Sequence, residues 1–335
     1  MNYFSTYFDS NYYSRGLALY NSLLKHCLDD FHLFICCYDD NCYKDMQNHN
    51  LLNATIYSIS DLEKYDKKFF EIKDTRSTVE YYFTSTPCLQ LFILNKHPEV
   101  SRLTYLDADL YFYSDVKPLF DELGDSSIGM TIHNFPECSK KKSLASVSEA
   151  KTGIYNVAWL SFRNDENSLN CLAWWRKKTI EWCYLKIEDG LCADQKYLDE
   201  WPKLFESVHI FNHRGANVAP WNINDYKMHQ NNGKIYLDNY PLIFFHFHGF
   251  KQINKYIYNS NLGLTLSFPS KTIKELLFAP YINELLKHSK SGNITKSLPK
   301  PKLHNKYFHA IRTTIRISIG LFFRQYLLFI KRKVY

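Results

Sequence analysis

Two aspartates one residue apart, Asp107 and Asp109, interrupt the apolar run RLTYLDADLYFYSD at residues 102–115. Side chains two apart on a regular strand share a face. Two carboxylates held side by side repel each other, and burying them unpaired is costly. A divalent cation removes both penalties. Oxygen-rich ligand sets suit Mg2+ or Mn2+, and such an ion can bridge phosphate oxygens and neutralise a departing diphosphate. A bare D-x-D is common by chance and also fits a solvated turn. The apolar strand pattern on both sides is what favours the metal.

The elements that must position this pair alternate in type. YFSTYF (3–8) reads as a strand, and SNYYSRGLALYNSLLKHC as a helix with Ser10 as its N-cap. FHLFICCYDD (31–40) is strand-like, TSTPCLQLFILNKH (84–97) helical with Pro87 in its first turn, and RLTYLDADLYFY a strand again. That order predicts a parallel sheet with helices on both faces, which binds ligands at the carboxyl ends of its strands. Downstream, YNVAWLSF (155–162) predicts a strand, and residues 165–190 a long amphipathic helix carrying Trp174, Trp175 and Trp182 into the core. LCADQKYLDEWP (191–202) predicts a short helix stopped before Pro202. FESVHIF (205–211) and YPLIFFHFHGF (240–250) predict two more strands.

Composition narrows the function classes. In 335 residues, 45% hydrophobic and 17% aromatic content describe a globular chain. Net charge is +7, but eight of the 41 Lys and Arg follow Lys300, with no acid among them. The preceding 300 residues hold the other 33 and all 34 acids. A near-neutral body argues against a nucleic-acid partner. The nine cysteines form no CxxC pair, no run reaches about 18 apolar residues, and MNYFSTYFDSNYY lacks a leader pattern. These features predict a cytoplasmic chain with reduced thiols.

Three regions are expected: a catalytic domain at 1–286, a polar linker at 287–302 (within KHSKSGNITKSLPKPK), and a basic aromatic helix at 303–335. Phe308, Ile311, Ile315, Ile319, Phe322, Tyr326 and Phe329 form a stripe at helical spacing, with Arg312, Arg316, Arg324 and Lys331 on another side. This composition suits a helix lying on an anionic membrane surface, each basic residue adding roughly 1 kcal/mol. Docking on the body or a homo-oligomer contact is the alternative.

YLDADLYFYSD, TGIYNVAWLSFRND (152–165), ADQKYLD (193–199), NVAPWN (217–222) and FHFHGF (245–250) follow one another in an order that resembles the GT-A-fold nucleotide-diphospho-sugar glycosyltransferases, nearest to the family-8 retaining enzymes. The resemblance covers roughly residues 1–265. It implies an α/β, mainly parallel sheet, a Mn2+ or Mg2+ cofactor, a UDP-sugar donor and a glycan or lipid-linked acceptor. It makes His246, in H-x-x-G with Gly249, the third metal ligand beside Asp107 and Asp109, with His248 as a substitute. Asp107, Gly249 and Lys251 would meet the donor, although Lys251 stands one residue earlier than the family's lysine. Phe4, Ser5, Thr6 and Tyr7 would hold the base. Asn156 would lie over the sugar, and Asp194 and Gln195 near the reacting carbon, where an amide supports oxocarbenium charge. Trp221 would touch the acceptor. The implied task is sugar transfer in bacterial surface polysaccharide or lipopolysaccharide synthesis, on the inner face of the membrane. A sugar-phosphate nucleotidyltransferase is a rival, disfavoured because FDSNYYSRGLAL carries one glycine. A catalytically silent membrane scaffold is the other.

Overall fold

Segments apolar on both faces build the centre of the computed structural model, which describes residues 1–135, 149–188, 190–262, 269–289, 326–330 and 333–334. FHLFICC is almost wholly buried, as a strand covered on both faces must be. The main sheet contains β1 (Asn2–Phe8), β2 (Phe31–Cys37), β3 (Ala54–Ser58), β4 (Arg102–Leu106), β6 (Ile128–Ile132), β7 (Tyr155–Arg163) and β8 (Val208–Ile210). Their order is β8-β6-β7-β4-β1-β2-β3, and β7 alone runs antiparallel to its neighbours. The outcome is the mainly parallel sheet that the alternating pattern predicts.

Helices cover both faces. α1 (Tyr13–His26) and α2 (Asp40–Asn48) close one core around Leu17, Leu23, Met46 and Trp159. α3 (Thr78–Lys96) and α4 (Glu166–Glu181) close the other around Leu89, Phe92, Leu172 and Trp175. α3 starts before the apolar pattern does, because Ser77 and Glu80 form a reciprocal capping box; Pro87 therefore lies inside the helix, not in its first turn. α4 stops at Glu181, short of the expected Gly190, and Trp182 is its C-cap. The expected short helix over 191–202 is a 3-10 turn, Lys196–Glu200, and Pro202 opens the next turn instead of ending one.

A third core lies beside the sheet. β5 (Leu110–Phe112) pairs antiparallel with β9 (Phe244–His246). Lys251–Gln252, β10 (Ile257–Asn259) and β11 (Tyr326–Ile330) form an antiparallel ribbon, finished by Lys333–Val334. α5 (Ala279–Lys287) packs against it through Tyr281, Ile282 and Leu285. The expected tail helix does not extend over 326–330. Residues 290–325 lie outside the described residues, but Tyr326–Ile330 is a strand. Tyr326, Leu327, Phe329 and Val334 are buried in the body, so Tyr326 and Phe329 of the expected membrane stripe are withdrawn from any membrane surface, while Ile330 stays exposed.

Candidate active site

The paired acids stand where the chain leaves the sheet. β4 ends at Leu106, a turn carries Asp107, Ala108 and Asp109, and β5 begins at Leu110. The two are thus not on one continuous strand. Asp107 N donates to Ala158 O at 3.0 Å, and Leu110 N to Asp107 O at 3.1 Å, closing the turn. β9 brings His246 opposite Leu110, and Phe247 N donates to Asp109 O at 2.9 Å. His246 Nε2 lies 3.2 Å from Asp109 Oδ1 and 3.5 Å from Asp107 Oδ2, and one donor atom from each of the three fits within 4.8 Å.

These separations suit a metal. Neighbouring ligands of an ion held at 2.0–2.1 Å lie about 3 Å apart. Two carboxylate oxygens and an imidazole nitrogen form a donor set for Mn2+ or Mg2+. Asp107, Asp109 and His246 are the residues that would hold it. His246 Nδ1 is buried without a hydrogen-bond partner among the described residues.

The three side chains shift one another's protonation. Withdrawal from water pushes the Asp107 carboxyl up, His246 opposing and Asp109 adding to it. For Asp109 the same withdrawal is outweighed by His246, which holds its carboxyl low. Burial would lower His246, but the two carboxylates raise it above the ordinary imidazole value. His133, at the carboxyl end of β6, is lowered to about 3 by burial and stays neutral.

A cleft of about 630 Å3 opens over these groups at the carboxyl ends of β1, β4 and β6. Its lining includes Asp9, Asp107, Asp109 and Asp194, and no Lys or Arg among the described residues. Of the residues singled out from the sequence, Tyr7, Asp107, Asp109, Asn156, Asp194, Gln195, Trp221, His246 and His248 meet here. Asn156 Oδ1 accepts from Ala158 N at 2.7 Å, which fixes the side chain at the bulge between β6 and β7. Gln195 Nε2 donates to Thr152 O at 2.6 Å, so the amide orientation is set and Oε1 is the atom left as an acceptor. Trp221 is buried, donates from Nε1 to His133 O at 2.7 Å, and stands edge-on to His246 and His248 at 5.7 and 5.6 Å between ring centres.

Other expected site residues lie elsewhere. Phe4 is fully buried against Phe31, Phe120 and Trp159. Ser5 is buried with its hydroxyl donating to Gln90 Oε1 at 2.7 Å, and Thr6 is buried in β1. Alternation along β1 and its pairing on both edges bury these three inside the sheet layers, so of the four expected residues Tyr7 alone lines the cleft. Lys251 is exposed in the ribbon and does not line the cleft. Gly249 does not line it either, but its φ of +66° makes the turn after His248, where an added Cβ would come within 2.4 Å of Asn261 Nδ2.

No family model matches the chain. Among curated proteins, it is 29% identical to the uncharacterized protein YfnD of Bacillus subtilis (strain 168) over 286 residues, covering 84% of this chain and 88% of the relative. It is 31% identical to the uncharacterized protein YfnF of the same organism over 241 residues, 72% of this chain and 78% of the relative. The chain belongs to the YfnF family. Among solved structures it is similar to galactosyltransferase LgtC, determined with donor and acceptor sugar analogs. Identity is 13%, coverage 89% of this chain and 98% of that one, and the TM-score 0.53. This likeness and the mainly parallel sheet show the GT-A glycosyltransferase fold.

In this YfnF-family chain the cleft also uses residues that the motifs did not single out. Asp9, Asn11 and Tyr12 follow β1, Tyr105 lies near the end of β4, and His133 follows β6. Tyr105 Oη donates to Asp107 Oδ1 at 2.8 Å. All five stand at or just beyond the carboxyl ends of parallel strands, a positional signal that the strand pattern carried without any motif. Tyr82 and Phe83 come from α3, whose early start the apolar pattern concealed.

Proposed function

We propose that this chain is a metal-dependent glycosyltransferase. It would move a sugar from a nucleoside-diphosphate donor, a UDP-sugar, to a hydroxyl of a glycan or lipid-linked acceptor, with retention of configuration. The observation that carries this reading is the Asp107–Asp109–His246 cluster at the base of a cleft lined with acids and no Lys or Arg among the described residues. A diphosphate enters such a cleft only with its charge neutralised. A bound Mn2+ or Mg2+ supplies that neutralisation and stabilises the leaving diphosphate.

The chain's own residues then have separate tasks. Asp107, Asp109 and His246 hold the cation. Tyr7 offers an aromatic wall to the nucleotide. Asn156 and Asp194 bind the sugar hydroxyls, and Gln195 presents its amide oxygen to the positive charge that develops on the ring. Trp221 backs the two histidines and borders the acceptor side. The acceptor hydroxyl attacks from the face that the diphosphate leaves. The same reading puts the enzyme in bacterial surface-glycan synthesis. The basic residues among 303–325 would give a peripheral contact with anionic lipid, which co-sedimentation with phosphatidylglycerol vesicles would test.

Calorimetric titration with UDP, with and without Mn2+, on wild type and Asp109→Ala tests the core of the reading. Manganese-dependent binding that the variant loses is expected. Absence of binding by UDP, GDP and CDP, with or without metal, would overturn it.

A further inference from the structure

Asp194 reaches the cleft at the end of an ordered chain of hydroxyls. Thr86 lies mid-way along α3, fully buried. Its Oγ1 donates to Asp194 Oδ2 at 3.2 Å and lies 3.1 Å from Tyr7 Oη. A threonine hydroxyl has one proton. While it donates to Asp194 it must accept from Tyr7, so the polarity runs from Tyr7 through Thr86 to Asp194. Chains of this kind strengthen each member in a low-dielectric interior.

The backbone under Asp194 is fixed independently. Trp175 Nε1 on α4 donates to Asp194 O at 2.8 Å, and Ala193 holds a φ of +47°. The main chain is therefore pinned from α4, and Thr86 on α3 supplies the side-chain hydrogen bond to the carboxyl among the described residues. Four titratable groups act on Asp194 or feel it: Asp107 from the β4 turn, Tyr7 from β1, and Cys183 and Cys192 from the flanking chain.

We infer that Thr86 is a positioning residue: its hydroxyl, oriented by Tyr7, fixes the rotamer of Asp194 and thereby the place where that carboxyl meets the donor sugar. What Asp194 meets rests on the glycosyl-transfer reading; how Asp194 is held does not. The isosteric change Thr86→Val removes the hydrogen bond and keeps the shape, and Thr86→Ser restores the hydroxyl. Thr86→Ala serves if the valine variant does not fold, as judged by its thermal midpoint.

The test follows the Asp194 carboxyl carbon by 13C NMR across pH, assigned with Asp194→Asn. Loss of the Thr86 donor withdraws support from the ionised carboxylate, so the Asp194 midpoint moves up in Thr86→Val and returns in Thr86→Ser. With UDP-glucose and UDP-galactose as donors, Thr86→Val lowers the hydrolytic turnover about tenfold with little change in KM, and serine rescues it. An unmoved Asp194 midpoint in Thr86→Val overturns the inference. So does serine failing to rescue. If wild type binds no nucleotide, the transfer reading falls while the titration still decides whether Thr86 positions Asp194.

Discussion

Asp109 carries the charge that a bound cation would meet first, since His246 keeps its carboxyl ionised far below neutrality. Binding to the folded state alone raises stability by about 2.7 kcal/mol at a ligand concentration one hundred times Kd. Mn2+ at that level should therefore raise the thermal midpoint of wild type, and Asp109→Ala should abolish the rise. Turnover should fall on the order of a hundredfold or more in the same variant, because the ion is worth several kcal/mol at the leaving group. His246→Ala should lose the metal effect with both carboxylates intact. At this scale much of the site could be read from residue types. The D-x-D pair, the H-x-x-G histidine and the Asp194–Gln195 pair all face one cleft. Phe4, Ser5 and Thr6 show the opposite: a strand shared by two cores hides residues that a linear reading assigns to a ligand.

Asp66 joins elements that the sequence kept apart. It caps the turn Lys67–Glu71 by accepting from Phe69 N at 3.1 Å, and it takes a bidentate hydrogen bond from Arg176 on α4. Burial raises its carboxyl, but Arg176 and the Phe69 N–H more than offset that, and the net shift is downward. A depressed native value stabilises the fold above the unfolded value of about 3.9. That contribution is lost as pH falls through the lower native value. Asp66→Asn should cost on the order of 2 kcal/mol at pH 7, less than a fully buried pair because Arg176 reaches solvent. Urea midpoints of wild type and variant should converge as pH drops below 4. Element boundaries were harder to read than element types. The Ser77-x-x-Glu80 box that starts α3 is written in the sequence, yet the apolar periodicity it precedes begins later. The acids in RLTYLDADLYFY conceal a turn that splits one apparent strand into β4 and β5. Only the partner strand β9, more than a hundred residues away, defines where β5 begins.

Across the whole molecule, β11 was least legible. YLLFI fits a helical stripe and a strand equally well, and tertiary pairing with β10 decides between them. Tyr326, Leu327, Phe329 and Val334 bury apolar side chains worth roughly 1.5–3 kcal/mol apiece when fully covered. A chain ending at Gln325 should unfold at a clearly lower urea concentration. It should also be cleaved by protease within 251–259, since Tyr258 loses the Phe329 ring that packs edge-on to it at 6.0 Å. Mn2+-dependent UDP binding should weaken with it: Phe250 stacks on Tyr258 at 5.7 Å, and its carbonyl accepts from Arg15 Nη2 at 2.7 Å, just beyond the His246 turn.

The position of β11 along the chain has a consequence for biosynthesis. Its partner β10 ends at Asn259, and more than sixty residues must be translated before Tyr326 emerges to pair with it. The sheet, both helical faces and Asp107, Asp109 and His246 leave the ribosome earlier. A nascent chain can thus display the whole cleft while the ribbon under the His246 turn still has an open edge. Ribosomes stalled before Tyr326 would present an apolar strand edge to chaperones, and the loss of that edge would mark the moment at which the enzyme matures.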